Sequence, residues 1–301
     1  MLNFLPSFVL LILASALLVI GTLLCFIPML FFIVLRLILP FPALRKYFAS
    51  VFMAIAETWN TLNKGWMRLT QRTHWDIEGT EHLSKNAWYL ATSNHQSWVD
   101  IFVLEFVLNR KIPLLKFFIK QELIRVPVMG LCWWALDFPF MKRFSKEYLK
   151  KHPEMRGKDI EATKKACERF KDTPTSILNF LEGTRFTPEK HDRQGSPFKH
   201  LLKPKSGGIA FAMHSMGEQL NRLLNVTIVY PDGIPSFTDF LGGKVKRVIV
   251  RIEQIRIPEK FFVSDYMNDQ VFRAEFNRWV YDLWREKDVL IDKLLVNANR
   301  I

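Results

Sequence analysis

The first 35 residues lack every acidic side chain, every lysine and arginine, and histidine. Within this segment residues 6–27 are almost wholly apolar, and as an α-helix they would extend about 33 Å at 1.5 Å per residue. That length is enough to cross a hydrocarbon core of about 30 Å. A cleaved signal peptide has a basic n-region and a shorter apolar core. The composition therefore favours a retained membrane anchor over a secretion signal.

The extent of this anchor depends on Pro28, which lacks a backbone N–H and is expected to interrupt the helix. A second apolar stretch then continues to Leu44. Two arrangements fit this pattern: one spanning helix followed by an interfacial tail, or a two-helix re-entrant anchor. We predict a membrane anchor, transmembrane or re-entrant, over residues 1–44 and a folded domain over residues 45–301.

Acidic residues are scarce just after the apolar segment. Between residues 36 and 72 the only acid is Glu57, whereas six residues are basic: Arg36, Arg45, Lys46, Lys64, Arg68 and Arg72. Because basic flanks remain on the cytoplasmic side of a membrane, we expect the following domain to face the cytoplasm. The expected location is a bacterial inner membrane.

Several other absences exclude classes of site. The three cysteines, Cys25, Cys132 and Cys167, show no CxxC or CxxH spacing, so neither a zinc site nor a thiol nucleophile is expected. No metal-ligand cluster is present, and no Gly-x-Gly-x-x-Gly loop or Gly-x-Ser-x-Gly elbow occurs. The chain therefore lacks the usual signatures of metalloenzymes, dinucleotide-binding enzymes and serine lipases.

The net charge is +13, from 42 Lys and Arg against 29 Asp and Glu. A basic surface attracts nucleic acid, anionic lipid headgroups and phosphorylated substrates alike. No nucleic-acid-binding module is recognisable, and the apolar N-terminal segment argues against one.

Strand-like and helical segments alternate along the rest of the chain, which is typical of an α/β domain. The predicted strands cover residues 75–77, 88–92, 177–181, 226–230 and 245–252. The predicted helices cover residues 47–70, 97–109 and 206–216, and a last one carries apolar residues at helical spacing from Phe272 to Leu294.

The strongest functional signal is the segment from Asn94 to Asp100, between a predicted strand and a predicted helix. Across such a turn, Asp100 can reach one imidazole nitrogen of His95 and leave the other free as a general base. This is the base and orienting acid of a catalytic triad without a protein nucleophile. Such a pair suits direct attack by a substrate hydroxyl.

Three further segments carry basic residues, and two of them also carry glycine and a hydroxyl residue. Residues 180–185 place Glu182, Gly183, Thr184 and Arg185 after a buried strand, where they can form a polar cradle for phosphate. Lys203 and Lys205 precede two glycines at a predicted helix start, which is a favourable position for an anion. The fourth segment, residues 140–143, ends in a lysine and an arginine.

Taken in order, these segments resemble the motifs of the glycerolipid acyltransferase superfamily, above all its lysophosphatidic acid and lysocardiolipin acyltransferases. The family's Asn-His-x4-Asp motif matches residues 94–100 in full, and its aromatic-to-basic motif matches residues 140–143. Its Phe-Pro-Glu-Gly-Thr-Arg motif matches residues 180–185 except at Leu181. Its Val-Pro-rich strand matches residues 226–231 more loosely, without the early proline, at Thr227. The resemblance covers about residues 75–235.

The resemblance implies an α/β acyltransferase fold, a mixed sheet flanked by helices, with a hydrophobic N-terminal anchor. It implies that His95 is the general base and that Asp100 orients it. Arg143 and Arg185 would contact the acceptor phosphate, and the remaining implied substrate-binding residues are Glu182, Gly183, Thr184, Lys203 and Lys205.

The same resemblance implies the substrates. The donor would be acyl-CoA or an acylated acyl carrier protein, acting as a co-substrate, with no cofactor and no metal. The acceptor would be a lysophospholipid from the surrounding membrane lipids, with lysophosphatidic acid giving phosphatidic acid. The departures at Leu181 and Thr227 leave another lysophospholipid open.

Two other functions remain open on the sequence alone. A membrane-bound thioesterase or lipase would use water as the acceptor, and a non-enzymatic module would only bind anionic lipid. The second alternative leaves the ordered motifs unexplained.

Overall fold

The computed structural model describes residues 2, 4–39, 41–141, 173–263, 266 and 269–299. Its centre is a six-stranded sheet in the order β1-β8-β7-β2-β6-β3. The strands are β1 (His74–Glu78), β2 (Tyr89–Ser93), β3 (Leu115–Phe117), β6 (Ser176–Phe180), β7 (Arg222–Val229) and β8 (Arg247–Arg256). Every pairing in it is parallel except that of β7 with β8. The predicted α/β fold with a mixed sheet is confirmed.

The central strands are buried on both faces, and their side chains alternate between two hydrophobic clusters. Along β7, Leu224, Val226 and Ile228 pack into one cluster, whereas Leu223 and Val229 pack into the other. This alternation follows from the two-residue period of a strand. Asn225 and Thr227 occupy the positions between Leu223 and Val229 on that second face, and both are buried.

Helices cover both faces of the sheet. One face carries α6 (Gly207–Met216) and the long C-terminal α9 (Gln270–Ala298), whereas the other carries α2 (Pro42–Thr70), α3 (Val99–Leu108) and α7 (Phe237–Leu241). The apolar residues of α9 that recur at helical spacing, including Phe272, Phe276 and Trp284, are buried in the core. These residues therefore pack against the sheet.

The elements that the sequence did not predict are short. They are β3, β4 (Ile119–Lys120), β5 (Phe140–Met141), α4 (Met129–Ala135), α5 (Pro188–Gln194) and α8 (Lys260–Val263), together with α7. Runs this short carry too few residues for a periodicity to stand out. β7 begins four residues before its predicted start, and α2 begins five residues before.

The N-terminal helix α1 runs unbroken from Ser7 to Ile38, so the expected interruption at Pro28 is wrong. A proline inside a helix removes one hydrogen bond, at a cost of about 3 kcal/mol. Beyond it, Met29 and Ile33 pack against Phe48 and Phe52 of α2. These contacts hold the second half of α1 in line with the first.

Helices α1 and α2 lie against each other, and α1 contacts the sheet domain near both of its ends. Near its start, Leu10 lies against Gly243, which follows α7. Near its end, Arg36 donates to the carbonyl of Ala135 at 3.4 Å and lies 3.8 Å from Asp137. The predicted domain boundary at residue 44 falls within α2 and stays a prediction.

Candidate active site

Three adjacent parallel strands end at the same edge of the sheet. In the order β7-β2-β6, the segments that leave these strands carry Tyr230, His95 and Glu182. Parallel strands bring their carboxyl ends together, which is where α/β proteins place their ligand sites. The motifs at residues 94–100 and 180–185 therefore lie side by side, although His95 and Glu182 are 87 positions apart in the sequence.

His95 and Asp100 form the predicted pair. The Nδ1 atom of His95 lies 2.9 Å from Oδ2 of Asp100, which is in the first turn of α3 and 1% exposed. The same Oδ2 accepts the backbone N–H groups of Gln96 at 2.6 Å and of Ser97 at 2.8 Å. Asp100 therefore holds both the imidazole and the backbone of the loop that carries it.

Tyr230 completes the surroundings of Asp100. Its hydroxyl donates to Oδ1 at 2.6 Å, and burial together with the Asp100 charge raises the pKa of this phenol well above its usual value. The hydroxyl thus stays a donor. The sequence placed Tyr230 in the fourth motif without a role in the site. Only the neighbouring positions of β7 and β2 bring it to Asp100.

The free nitrogen of His95 faces the surface. The imidazole stacks on the ring of Phe180, with 4.0 Å between centroids, and its side chain is 13% exposed. In the part of the chain that the structure describes, Nε2 accepts and donates no hydrogen bond. With Nδ1–H directed at Asp100, Nε2 carries the lone pair that a general base needs.

The backbone around His95 is fixed from several sides. Its N–H donates to Oε1 of Glu182 at 2.8 Å, and its carbonyl accepts the N–H of Phe186 at 2.7 Å. The Asn94 side chain bonds both the carbonyl and the N–H of Ile228, at 2.8 and 2.9 Å. Asn94 thus extends the pairing of β2 with β7 while the chain turns away. These contacts hold His95 in place before substrate arrives.

Glu182 is fully buried, and its second oxygen accepts the N–H of Leu202 at 3.0 Å. Burial raises the pKa of this carboxyl to about 7, opposed by the N–H groups of Leu202 and His95. Glu182 therefore connects the loop of His95 to the segment that carries Leu202. Gly183, next in the chain, has a φ of +67°, which glycine adopts without strain.

Basic side chains surround this edge. The guanidinium of Arg185 lies 4.9 Å above the Trp98 ring, and the ammonium of Lys205 lies against Gly183. Lys190, which lies outside the motifs, donates to the hydroxyl of Thr184 and to the carbonyl of Arg185, both at 2.8 Å. None of these three cations pairs with a carboxylate among the residues described.

Two further residues, Lys203 and Arg143, were predicted to bind substrate. Lys203 is exposed in the segment before α6, and its backbone N–H donates to the Gln194 side chain at 3.2 Å. Arg143 lies outside the described residues. Within the described ranges no group of three or more His, Cys, Asp or Glu side chains can hold a metal ion. The substrate-binding roles stay predictions.

Comparison with known proteins decides the family. The family model described as Acyltransferase matches residues 74–232, more than half of the chain. The chain belongs to this acyltransferase family. The match confirms the resemblance predicted from the motifs, and its limits lie within three residues of the predicted ones.

The curated relatives of the acyltransferase are distant in sequence. This chain is 24% identical to a 2-acyl-1-lysophosphatidylinositol acyltransferase of Saccharomyces cerevisiae, over 70% of this chain and 62% of that protein. It is 25% identical to the mouse 1-acyl-sn-glycerol-3-phosphate acyltransferase gamma, over 75% and 58%. The chain thus spans about three-fifths of the length of these relatives.

A solved structure is also similar to the acyltransferase. It is that of the 1-acyl-sn-glycerophosphate acyltransferase of Thermotoga maritima, at 19% identity and a TM-score of 0.43 over 88% of this chain and 97% of the other.

Glu182→Gln is expected to remove part of the pH dependence of folding stability. The carboxyl has a pKa of about 7 in the folded acyltransferase and an ordinary value of 4.5 otherwise. Between these values the folded protein keeps a proton that the unfolded chain has released. The resulting stabilisation is complete below the lower pKa and is lost as the pH rises through the higher one.

Urea denaturation at about pH 5 and about pH 7 measures this loss. The decline in the free energy of unfolding is expected to be smaller in Glu182→Gln than in the wild type. Exposed Glu218→Gln serves as the control and should keep the wild-type decline. Equal declines in Glu182→Gln and the wild type would contradict the raised pKa.

Proposed function

We propose that this protein is a membrane-associated O-acyltransferase that moves a fatty acyl group from a thioester to the free hydroxyl of a lysophospholipid. The observation that carries the proposal is the free Nε2 of His95. It is oriented through Nδ1 by buried Asp100 and lies at an edge where Arg185, Lys190 and Lys205 pair with no carboxylate among the described residues. Membership of the acyltransferase family supports the same reaction type.

The geometry suits one sequence of bond changes. Nε2 takes the proton of the acceptor hydroxyl while the hydroxyl oxygen attacks the thioester carbonyl carbon. The tetrahedral intermediate then collapses, the C–S bond breaks, and the thiolate sulfur takes the proton back from the imidazolium. Asp100 stabilises the positive imidazolium between these two transfers.

A covalent acyl-enzyme is not needed in this scheme. The nearest hydroxyl in the catalytic loop is that of Ser97, which donates to the carbonyl of Pro235 at 2.6 Å. No serine or cysteine among the described residues bonds to His95. The substrate hydroxyl is therefore the nucleophile, as in a triad whose serine is replaced by the acceptor.

The cations beside His95 support a phosphorylated acceptor. Arg185, Lys190 and Lys205 are available for a phosphate group, and arginine binds phosphate with a planar fork of donors. We propose lysophosphatidic acid as the acceptor, with phosphatidic acid as the product. The named relatives include enzymes for this acceptor and for lysophosphatidylinositol, so other lysophospholipids are tested beside it. The proposed donor is acyl-CoA or acyl carrier protein.

The membrane arrangement follows from α1. Its outer face is apolar along its whole length, with exposed Phe8, Ile12, Ile20, Leu24, Ile27, Phe31 and Leu37. The helix touches the domain at Leu10 and at Arg36, about 39 Å apart at 1.5 Å per residue. A helix crossing a core of about 30 Å would carry part of the polar domain through the bilayer. We propose that α1 lies along the membrane surface, an arrangement that differs from both the spanning helix and the two-helix re-entrant anchor expected from the sequence.

The cytoplasmic side remains the proposed location of the active site. Six basic residues follow closely on the apolar face of α1, and their translocation would be unfavourable. Both proposed donors are cytoplasmic, whereas the lysophospholipid comes from the membrane. An inner membrane of a bacterium stays a prediction.

His95→Ala is expected to abolish acyl transfer without unfolding the protein. General-base catalysis accounts for about 100- to 10,000-fold in rate. Thiol release and lipid products are measured together, with acyl-CoA as donor and a panel of lysophospholipids. The matched control is His82→Ala, at an exposed histidine outside the motifs.

Diacyl product from the wild type supports the acyltransferase, and free fatty acid in its place would indicate a thioesterase. Thiol release by His95→Ala at a tenth or more of the wild-type rate would remove His95 from the mechanism. Absence of any turnover by the wild type would favour a lipid-binding module.

Arg185→Ala is expected to raise the KM for the lysophospholipid by about tenfold, corresponding to about 1.4 kcal/mol, and to leave the donor KM nearly unchanged. The reason is the loss of a phosphate contact beside His95. Arg193→Ala, at an exposed arginine of α5, is the matched control. A raised donor KM with an unchanged acceptor KM would assign Arg185 to the donor instead.

Spin labels on α1 are expected to show equal depths in the bilayer. The three native cysteines are replaced by alanine, and single cysteines are placed at exposed Ile12, Leu24 or Leu37. A helix along the surface places all three labels at similar shallow depths. A label at Thr58, on the exposed polar side of α2, should report water. A deep label at residue 24 between two shallow ones would establish a spanning helix instead.

A further inference from the structure

Trp98 is an exposed tryptophan in the loop that carries His95. Its side chain is 56% exposed, whereas the other eight tryptophans of the chain are buried or half-buried. It stands three residues after His95 and directly before α3. A single exposed apolar side chain has no functional meaning by itself, so the contacts of Trp98 decide what it does.

The backbone of Trp98 is anchored through its two neighbours. The N–H of Ser97 donates to Oδ2 of Asp100 at 2.8 Å, and its hydroxyl donates to the carbonyl of Pro235 at 2.6 Å. The same hydroxyl accepts the N–H of Val99 at 3.2 Å. The indole is therefore attached to a fixed point of the catalytic loop.

Arg185 meets this indole from the neighbouring motif. Its carbonyl accepts from the Lys190 ammonium at 2.8 Å, and the N–H of Phe186 donates to the carbonyl of His95 at 2.7 Å. These contacts fix the backbone of Arg185 but not its guanidinium, which donates no hydrogen bond to any of the described residues. The guanidinium instead lies over the Trp98 ring, 4.9 Å from the ring centre.

An aromatic ring holds an arginine differently from a carboxylate. The negative face of an indole attracts a cation, and at an exposed site this contact favours the held position about two- to fivefold. The ring accepts the charge through its face, so the five N–H donors of the guanidinium stay available. A carboxylate would occupy some of these donors and would compete with a phosphate for them. Trp98 therefore restricts Arg185 without neutralising it.

We propose that Trp98 is a positioning residue for the acceptor: its ring holds the guanidinium of Arg185 over the catalytic loop, where the guanidinium binds the phosphate of the lysophospholipid. This inference rests on the proposed function. Ordering a long side chain during binding lowers affinity, so an arginine that is already held binds the phosphate more tightly. Trp98 acts through Arg185 and takes no part in proton transfer.

The test measures the Kd of lysophosphatidic acid without donor, in mixed micelles of fixed composition. Trp98→Phe keeps an aromatic face, whereas Trp98→Leu keeps only an apolar side chain. The phenylalanine variant is expected to bind within about twofold of the wild type, and the leucine variant about threefold more weakly. In the acyl-transfer assay, Trp98→Leu should raise the acceptor KM by the same factor, with kcat and the donor KM close to wild type.

A double-mutant cycle shows whether the effect passes through Arg185. In the Arg185→Ala background, Trp98→Leu should cause no further loss of affinity, because the ring has no cation left to hold. Tyr281→Leu, at an exposed aromatic residue of α9, is the matched control and should keep the wild-type Kd. Thermal unfolding followed by circular dichroism identifies folded variants, and Trp98→Gln replaces Trp98→Leu if the latter does not fold.

The outcomes distinguish this inference from the proposed function. A wild type that binds lysophosphatidic acid but transfers no acyl group contradicts the proposed function, and the binding comparison still tests Trp98. A wild type that transfers acyl groups but does not bind lysophosphatidic acid overturns the inference alone. Equal Kd values for wild type and Trp98→Leu, or equal losses in the phenylalanine and leucine variants, also overturn it. The same loss with and without Arg185 would assign Trp98 a separate contact with lipid.

Discussion

The buried carboxylate of Asp100 is the contact on which the geometry of the site depends. Four donors converge on its two oxygens: the imidazole of His95, the hydroxyl of Tyr230 and the N–H groups of Gln96 and Ser97. Three of these donors belong to the turn between β2 and α3, and Tyr230 follows the end of β7. One side chain thus sets the direction of the imidazole, the shape of its loop and the distance between two strands. A base held in this way loses little entropy when substrate binds.

Two buried charges, on Glu182 beside His95 and on Lys287 of α9, are unfavourable for folding. Burial raises the pKa of Glu182 to about 7 and lowers the pKa of Lys287 to about 7. In both cases burial favours the uncharged form. Apolar residues of similar volume at these two positions would often give a protein of equal or greater folding stability. The carboxylate instead accepts N–H groups from two loops, and the ammonium closes on the carbonyl and hydroxyl of β7. Buried charges that oppose folding are expected at functional sites, where the arrangement that activity requires can differ from the most stable one.

Much of the site could be predicted from the sequence because its residues are grouped locally. His95 and Asp100 are five residues apart, and a strand followed by a helix is enough to bring them together. Glu182 and Gly183 follow a strand that is recognisable by its apolar residues. Tyr230 and Lys190 were missed as members of the site because they reach it from other segments. The break expected at Pro28 was wrong because local propensity was outweighed by the packing of Met29 and Ile33 against α2.

The sequence by itself determined the alternation of strands and helices, the apolar N-terminal segment and the pair of His95 with Asp100. These features depend on hydrophobic periodicity and on residues close together in the sequence. Local helix and strand geometry is enough to place such residues. Only the tertiary structure decided that α1 touches the domain near both ends, that Tyr230 bonds Asp100, and that Lys287 reaches β7. These contacts join residues that lie far apart along the chain. Their formation depends on the order of strands in the sheet and on the faces of the helices packed against it, which no local pattern specifies.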